Sequence, residues 1–224
     1  MPEPEDFDPT RTEPRLPARL RRLAVALAVA IGLLGVVGTI FVIEPASWLE
    51  RFDLDGERTV PAALSSLLLA ASAAALLPLV RRRVGIAAIL FAALLTFAAL
   101  DEAVEIHERI EGDVDRDWQL LYLPGFAATA ALWLVVLGRL PQEGPSRLLF
   151  VGSGAAWVAA QLLEAVQWDD EGPRPAYSAM MVSEEMLEMA GSAALLLALL
   201  EAGIRARQTT APSHAPLPPR RRRL

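Results

Sequence analysis

The chain has 224 residues, 54% of them hydrophobic and 21% charged, with a formal net charge of −6 and a mean hydropathy of +0.36. That is too apolar for an ordinary soluble domain and points to a polytopic membrane protein. The absence of cysteine excludes disulfides, thiolate metal sites and cysteine nucleophiles, and no basic surface interleaved with aromatics argues for nucleic acid.

All 21 basic residues are arginine, which together with the abundant alanine reads as the bias of a GC-rich bacterial genome. Residues 1–18 are rich in Pro, Glu, Asp and Arg and lack apolar periodicity, so they are expected to form a disordered tail. Residues 208–224, Pro-rich and ending in Arg220–Arg223, are expected to form a second one. Between the tails, residues 19–207 read as one six-helix transmembrane domain.

Six runs approach the ~20 apolar residues that a bilayer core demands. They are Leu23–Ile43, Val60–Val80, Val84–Leu100, Leu120–Leu137, Leu148–Gln167 and Ala179–Ile204. The third is short if it stops at Leu100. Its helical pattern continues through Glu105 and Glu108 to Glu111, and Gly112 then supplies a helix end, so the predicted helix covers 84–111 and projects beyond the apolar band. Between the first two spans, Asp53-Leu-Asp55-Gly56-Glu57 reads as a tight turn, with Pro61 at a tolerated first-turn position of the next helix.

Charge predicts the orientation. With both termini cytoplasmic, the arginines of the amino-terminal flank, of 81–83, of 139 and 147, and of the carboxyl-terminal segment all fall inside. Only Arg51, Arg58, Arg109, Arg116 and Arg174 fall outside, as the positive-inside rule requires. Trp48, Trp118 and Trp168 then occupy the outer interface, where indole rings concentrate. The expected location is a bacterial cytoplasmic membrane, with the bilayer as the chief partner.

The same topology carries three acidic groups to the outer side: Asp101-Glu102-x-x-Glu105-x-His107-Glu108, then Glu164, then Glu184-Glu185-x-x-Glu188. Carboxylates at membrane depth are costly unless they meet a proton, a cation or water, and their default interpretation is functional. At 100° per residue, Asp101, Glu105 and Glu108 fall within roughly 60° of one another, whereas His107 lies about 120° from Asp101. Glu184 and Glu188 share a face with Gly191, where a neighbouring helix can approach closely. Counting from Arg147 and Arg205 leaves Glu164 and Glu188 inside the edge of the apolar band.

Asp101, Glu105, His107, Glu108, Glu164, Glu184 and Glu188 are therefore the expected site. Carboxylates with one imidazole suit a divalent metal ion. The bland alternative is that these groups sit in headgroup water and cap helices, and for Glu184 a position near a helix start would suffice. No di-iron Glu-x-x-His pair and no His-Glu-x-x-His zinc motif is present, and Asp113-x-Asp115-x-Asp117 lacks the glycine of a calcium loop. Ser65 and Ser66 are expected to serve helix packing, and Glu201 with Arg205 an i,i+4 ion pair.

With these residues in view, the chain resembles a group of bacterial multi-pass membrane proteins that have no established activity. The resemblance rests on Asp55-Gly56-Glu57 with Pro61 and Ser65-Ser66, on Asp101-Glu102-x4-His107-Glu108, and on Glu184-Glu185-x-x-Glu188-Met189. It implies that these residues belong to one pattern and supplies no reaction. The functional expectation is an outward-facing carboxylate site for a divalent cation, in its enzymatic form a metal-assisted hydrolase of lipid-type substrates. The alternatives are a proton or cation transporter and a non-catalytic assembly protein engaging a membrane partner or a second copy of itself.

Overall fold

The structure, a computed structural model, describes residues 15–56, 58–80, 84–104, 106, 109–110, 118–142, 144–169 and 172–208. Residues 1–14 and 209–224 of the expected tails, and the positions of Glu105, His107, Glu108, Glu111, Gly112 and Asp113–Asp117, lie outside the described residues, while Ala18 and Gln208 belong to helices.

Six helices in it are long and apolar enough to cross a membrane. They are α1 (Ala18–Ile43), α2 (Val60–Leu79), α3 (Ile86–Val104), α4 (Trp118–Arg139), α5 (Pro145–Glu164) and α6 (Tyr177–Gln208). The number of helices is as expected; the fifth stops at Glu164, short of Gln167, the first and last run beyond the apolar runs into flanking residues, and the expected end of the third at Glu111 lies outside the described residues. The turn expected over 53–57 is described as far as Gly56. A 3₁₀ turn (Glu50–Phe52) precedes it, and Leu54 is buried against α1 at Gly38, so an apolar side chain anchors the segment. A two-residue antiparallel ladder, β1 (Trp168–Asp169) with β2 (Gly172–Pro173), joins α5 to α6.

The sixth helix is the spine. In its apolar span 61% of residues are buried, against 6% for α4, and it packs on α5, α2 and α1. Helices in lipid gain little from the hydrophobic effect and associate through close van der Waals contact, which small residues permit. A Cβ on Gly191 would meet Trp157 Cδ1 at 2.9 Å, Ala156 Cβ at 3.2 Å and the Ser153 carbonyl at 3.2 Å. A Cβ on Gly35 would collide with Met186, which fastens α1 to α6. The expected close approach at Gly191 is thus present.

The densest packing occupies one half of the bundle. Phe91 meets Phe150 edge-on at 6.3 Å, Trp133 stacks on Phe150 at 4.9 Å, and Leu76, Ala198 and Leu199 are buried beside them. These residues lie early in α3 and α5 and late in α2 and α6, so they close the end opposite the acidic groups. At that end Glu201 is fully buried and paired with Arg205, as expected, and the Arg205 guanidinium packs over Gly144, whose φ of 120° begins α5. Ser66 Oγ donates to the Ala99 carbonyl at 2.7 Å and ties α2 to α3, which is the packing role expected of it.

Gly191→Leu is expected to lower the thermal midpoint in detergent by several degrees, because overpacking a close contact costs about 1–3 kcal/mol. Gly203→Ala, where a Cβ has open space, should leave the midpoint unchanged or raise it, since alanine favours helix by about 1 kcal/mol over glycine. Equal midpoints for wild type and Gly191→Leu would refute the packing argument.

Candidate functional site

Because α3 and α5 end where α2 and α6 begin, the acidic ends of four segments meet at one end of the bundle. There they surround a cavity of about 600 Å³. Its walls include Asp55 from the loop before α2, Asp101 and Glu102 from α3, Glu164 from α5, and Glu184, Glu185 and Glu188 from α6. Among the described residues that line it, none is basic. The sequence expectation named Asp101, Glu164, Glu184 and Glu188, and all four line this cavity. Glu105, His107 and Glu108 lie outside the described residues.

Neutral amides and hydroxyls organise the acids. Gln161, one turn before Glu164 on α5, donates through its amide nitrogen to Glu164 Oε2 at 3.1 Å and to Glu188 Oε1 at 3.4 Å. One side chain thereby bridges the two carboxylates that sequence counting placed inside the apolar band. Gln119 of α4 adds a donor to Glu164 Oε2 at 3.1 Å and approaches Gln161 Oε1 at 3.4 Å. Tyr122 donates its hydroxyl to Asp101 Oδ1 at 3.0 Å, and Tyr177 donates to Asp55 Oδ2 at 3.0 Å.

The most enclosed of the seven is Glu184, 8% exposed. Gln167 donates to its Oε2, and no described residue hydrogen-bonds its other oxygen. Gln167 is held in turn by the hairpin, where the Arg174 N–H donates to the Gln167 carbonyl at 2.8 Å. The helix-start explanation of Glu184 is corrected here. The helix begins at Tyr177, so Glu184 sits seven residues inside it, and the macrodipole's influence fades within the first turn.

Asp53 lies outside the spans, at the base of the loop. Partial burial pushes its carboxyl above the ordinary aspartate value, the Asp55 charge adds to that, and the Asp55 N–H bond at 3.3 Å opposes it.

One wall is aromatic. Phe97 and Tyr122 have ring centroids 5.8 Å apart, Tyr122 and Phe126 are 6.4 Å apart, and Trp157 joins them in lining the cavity. Among the described residues no group of three His, Asp or Glu side chains converges as metal ligands do. The acids are spread around a chamber rather than focused on a point.

Asp55, Glu102 and Glu185 join the expected site, as do Gln119, Gln161 and Gln167. A usable signal existed for Gln161. A glutamine three residues before a glutamate in an apolar helix shares its face, and a polar side chain at that depth calls for a partner. For Asp55 and Gln167 no local pattern points to the cavity, because only the packing of Leu54 and the hairpin bring them there.

The family model of a domain of unknown function (DUF8692) matches residues 22–202. No curated protein and no solved structure matches the chain.

Removing the Gln167 amide should leave the buried Glu184 without its donor. Gln167→Ala is therefore expected to destabilise the protein by about 1–3 kcal/mol, read as a lowered thermal midpoint. Glu184→Gln in the same background should recover part of the loss, because a neutral amide tolerates burial better than a carboxylate. Additive effects of the two changes would show that the pair does not interact.

Proposed function

The chain belongs to this family of unknown function, and we propose that it is a cation-binding membrane protein whose site is the acid-lined cavity. One observation carries the proposal: carboxylates from three helices and a loop face a single chamber, and its described lining includes no basic side chain. Two unit charges 4 Å apart interact by about 4 kcal/mol at an effective dielectric near 20. The repulsion among the acids is therefore a strong field for an entering cation. By the positive-inside rule the cavity faces outward in a bacterial cytoplasmic membrane, since the arginine-rich connections flank the other end of the bundle.

A divalent metal is a narrower form of this reading. It requires Glu105, His107 and Glu108 to complete a ligand set that the described carboxylates do not form by themselves, and the metal-assisted hydrolysis of a lipid depends on that completion. Translocation of the cation requires a path through the apolar layer of Leu76, Phe91, Phe150 and Leu199. Beyond that layer the buried carboxylate is Glu201, already paired with Arg205.

The test is thermal unfolding in nanodiscs titrated with Mn²⁺, Ca²⁺ or tetramethylammonium. A ligand at a hundred times its Kd stabilises the folded state by about 2.7 kcal/mol, so at least one of the three should raise the midpoint of the wild type. The double variant Glu164→Gln/Glu188→Gln should lose that response. A wild type that responds to none of them overturns the proposal.

A further inference from the structure

The shape and walls of the cavity bear on which cation it takes, an inference that rests on the cation-binding reading above. A chamber of about 600 Å³ is the size of a small-molecule site, which typically spans roughly 300–1,000 Å³, and is far larger than a metal ion needs. Its carboxylates do not converge in threes among the described residues. The same cavity is lined by the rings of Phe97, Tyr122, Phe126 and Trp157. Ring faces attract organic cations, and quaternary ammonium groups are bound in aromatic cages in this way. At the acidic side, the 8%-exposed Glu184 presents an oxygen that no described group hydrogen-bonds, an acceptor held in place and left for a ligand.

The side of the cavity formed by α4 is thinly covered. Helix α4 meets α5 at two levels: Gln119 with Gln161 and Glu164 at the acidic end, and Trp133 stacked on Phe150 and lying over Gly154 further down. Between these levels residues 123–128 are all exposed, although Gly125 and Phe126 among them also line the cavity. A Cβ built on Gly125 meets no other residue within 4 Å. Pro124 beside it removes one helical hydrogen bond at the same level. This thinly covered stretch lies within an apolar helix span, at the depth of lipid tails.

We propose that the cavity accepts an alkylammonium cation, its charged nitrogen between the Glu184 and Glu188 carboxylates and the aromatic wall, its alkyl chain leaving past Gly125 toward the lipid.

Isothermal titration of the full chain in zwitterionic nanodiscs tests this, with butyltrimethylammonium as ligand, tetramethylammonium as the tail-less comparison and 3,3-dimethylbutan-1-ol as the uncharged one. Empty nanodiscs supply the partitioning baseline. The expected result is saturable binding of butyltrimethylammonium, at least about ten-fold tighter than the alcohol and tighter than tetramethylammonium. Glu188→Gln and Glu184→Gln should each weaken it by about ten-fold or more, in line with loss of one member of a desolvated charge pair. Phe126→Ala should weaken it by about two- to five-fold, the scale of one cation–π contact. Gly125→Leu fills open space without touching an acid. It should weaken butyltrimethylammonium more than tetramethylammonium while keeping the thermal midpoint at or above that of wild type. Saturable binding of Mn²⁺ or Ca²⁺ with none of either ammonium ion would overturn this proposal and leave the cation-binding reading standing. Binding of no cation at all would overturn both. An alcohol that binds as tightly as butyltrimethylammonium, or a Gly125→Leu variant with unchanged affinity for both ammonium ions, would also overturn it.

Discussion

The contact between α5 and α6 at Gly191 governs the acidic end of the molecule. With no side chain at that position, the backbone of α6 comes within van der Waals reach of Trp157, Ala156 and the Ser153 carbonyl. Roughly one turn further toward the acidic end, this spacing leaves Gln161 within reach of both Glu164 and Glu188. A glutamine amide carries two donor hydrogens, enough for both carboxylates when the helices are this close. Were the helices pushed apart by the width of a methyl group, one acceptor would lose its donor and the bridge would open. The apolar seam thus sets the geometry of the polar network beyond it.

The hydrogen bonds described at the cavity come from neutral donors. Glutamine amides and tyrosine hydroxyls can each satisfy a lone pair of a carboxylate, but they cancel none of its charge. A bundle that needed only to tolerate acids at membrane depth would do better with arginine, which forms bidentate, charge-compensating pairs. Here the amide and hydroxyl donors fix where the carboxylates stand and orient them around the chamber.

Much of this could be read from the residues alone. Six apolar runs separated by polar, Gly- and Pro-containing segments specify six helices, because a bilayer leaves the backbone no other way to satisfy its hydrogen bonds within each span. The shared destination of Asp101, Glu164, Glu184 and Glu188 followed from alternating helix direction, and the small residue at 191 announced a close contact. What stayed hidden depends on tertiary contacts. Asp55 reaches the cavity because Leu54 is buried against α1 at Gly38, and Gln167 reaches Glu184 because a two-residue ladder turns the chain between α5 and α6. Neither arrangement leaves a periodic trace. The depth of Glu184 was misjudged for a related reason: helix starts are the least determinate feature of a sequence, and the helix begins two residues before the expected Ala179, which sets Glu184 deeper, beyond its first turn.

The two ends of the bundle treat buried charge in opposite ways, and the contrast bears on function. At the closed end Glu201 is fully buried and has Arg205 one turn along the same helix, with the guanidinium seated over Gly144. The charge there is balanced within the helix, and removing Arg205 would strand the buried Glu201 at a cost of several kcal/mol. At the open end the described lining of the cavity brings together seven carboxylates and no arginine. Between the ends lies the apolar layer around Phe91, Phe150 and Leu199. The closed end therefore holds a buried ion pair within one helix, whereas the described lining of the open end gathers carboxylates from three helices and a loop around one chamber.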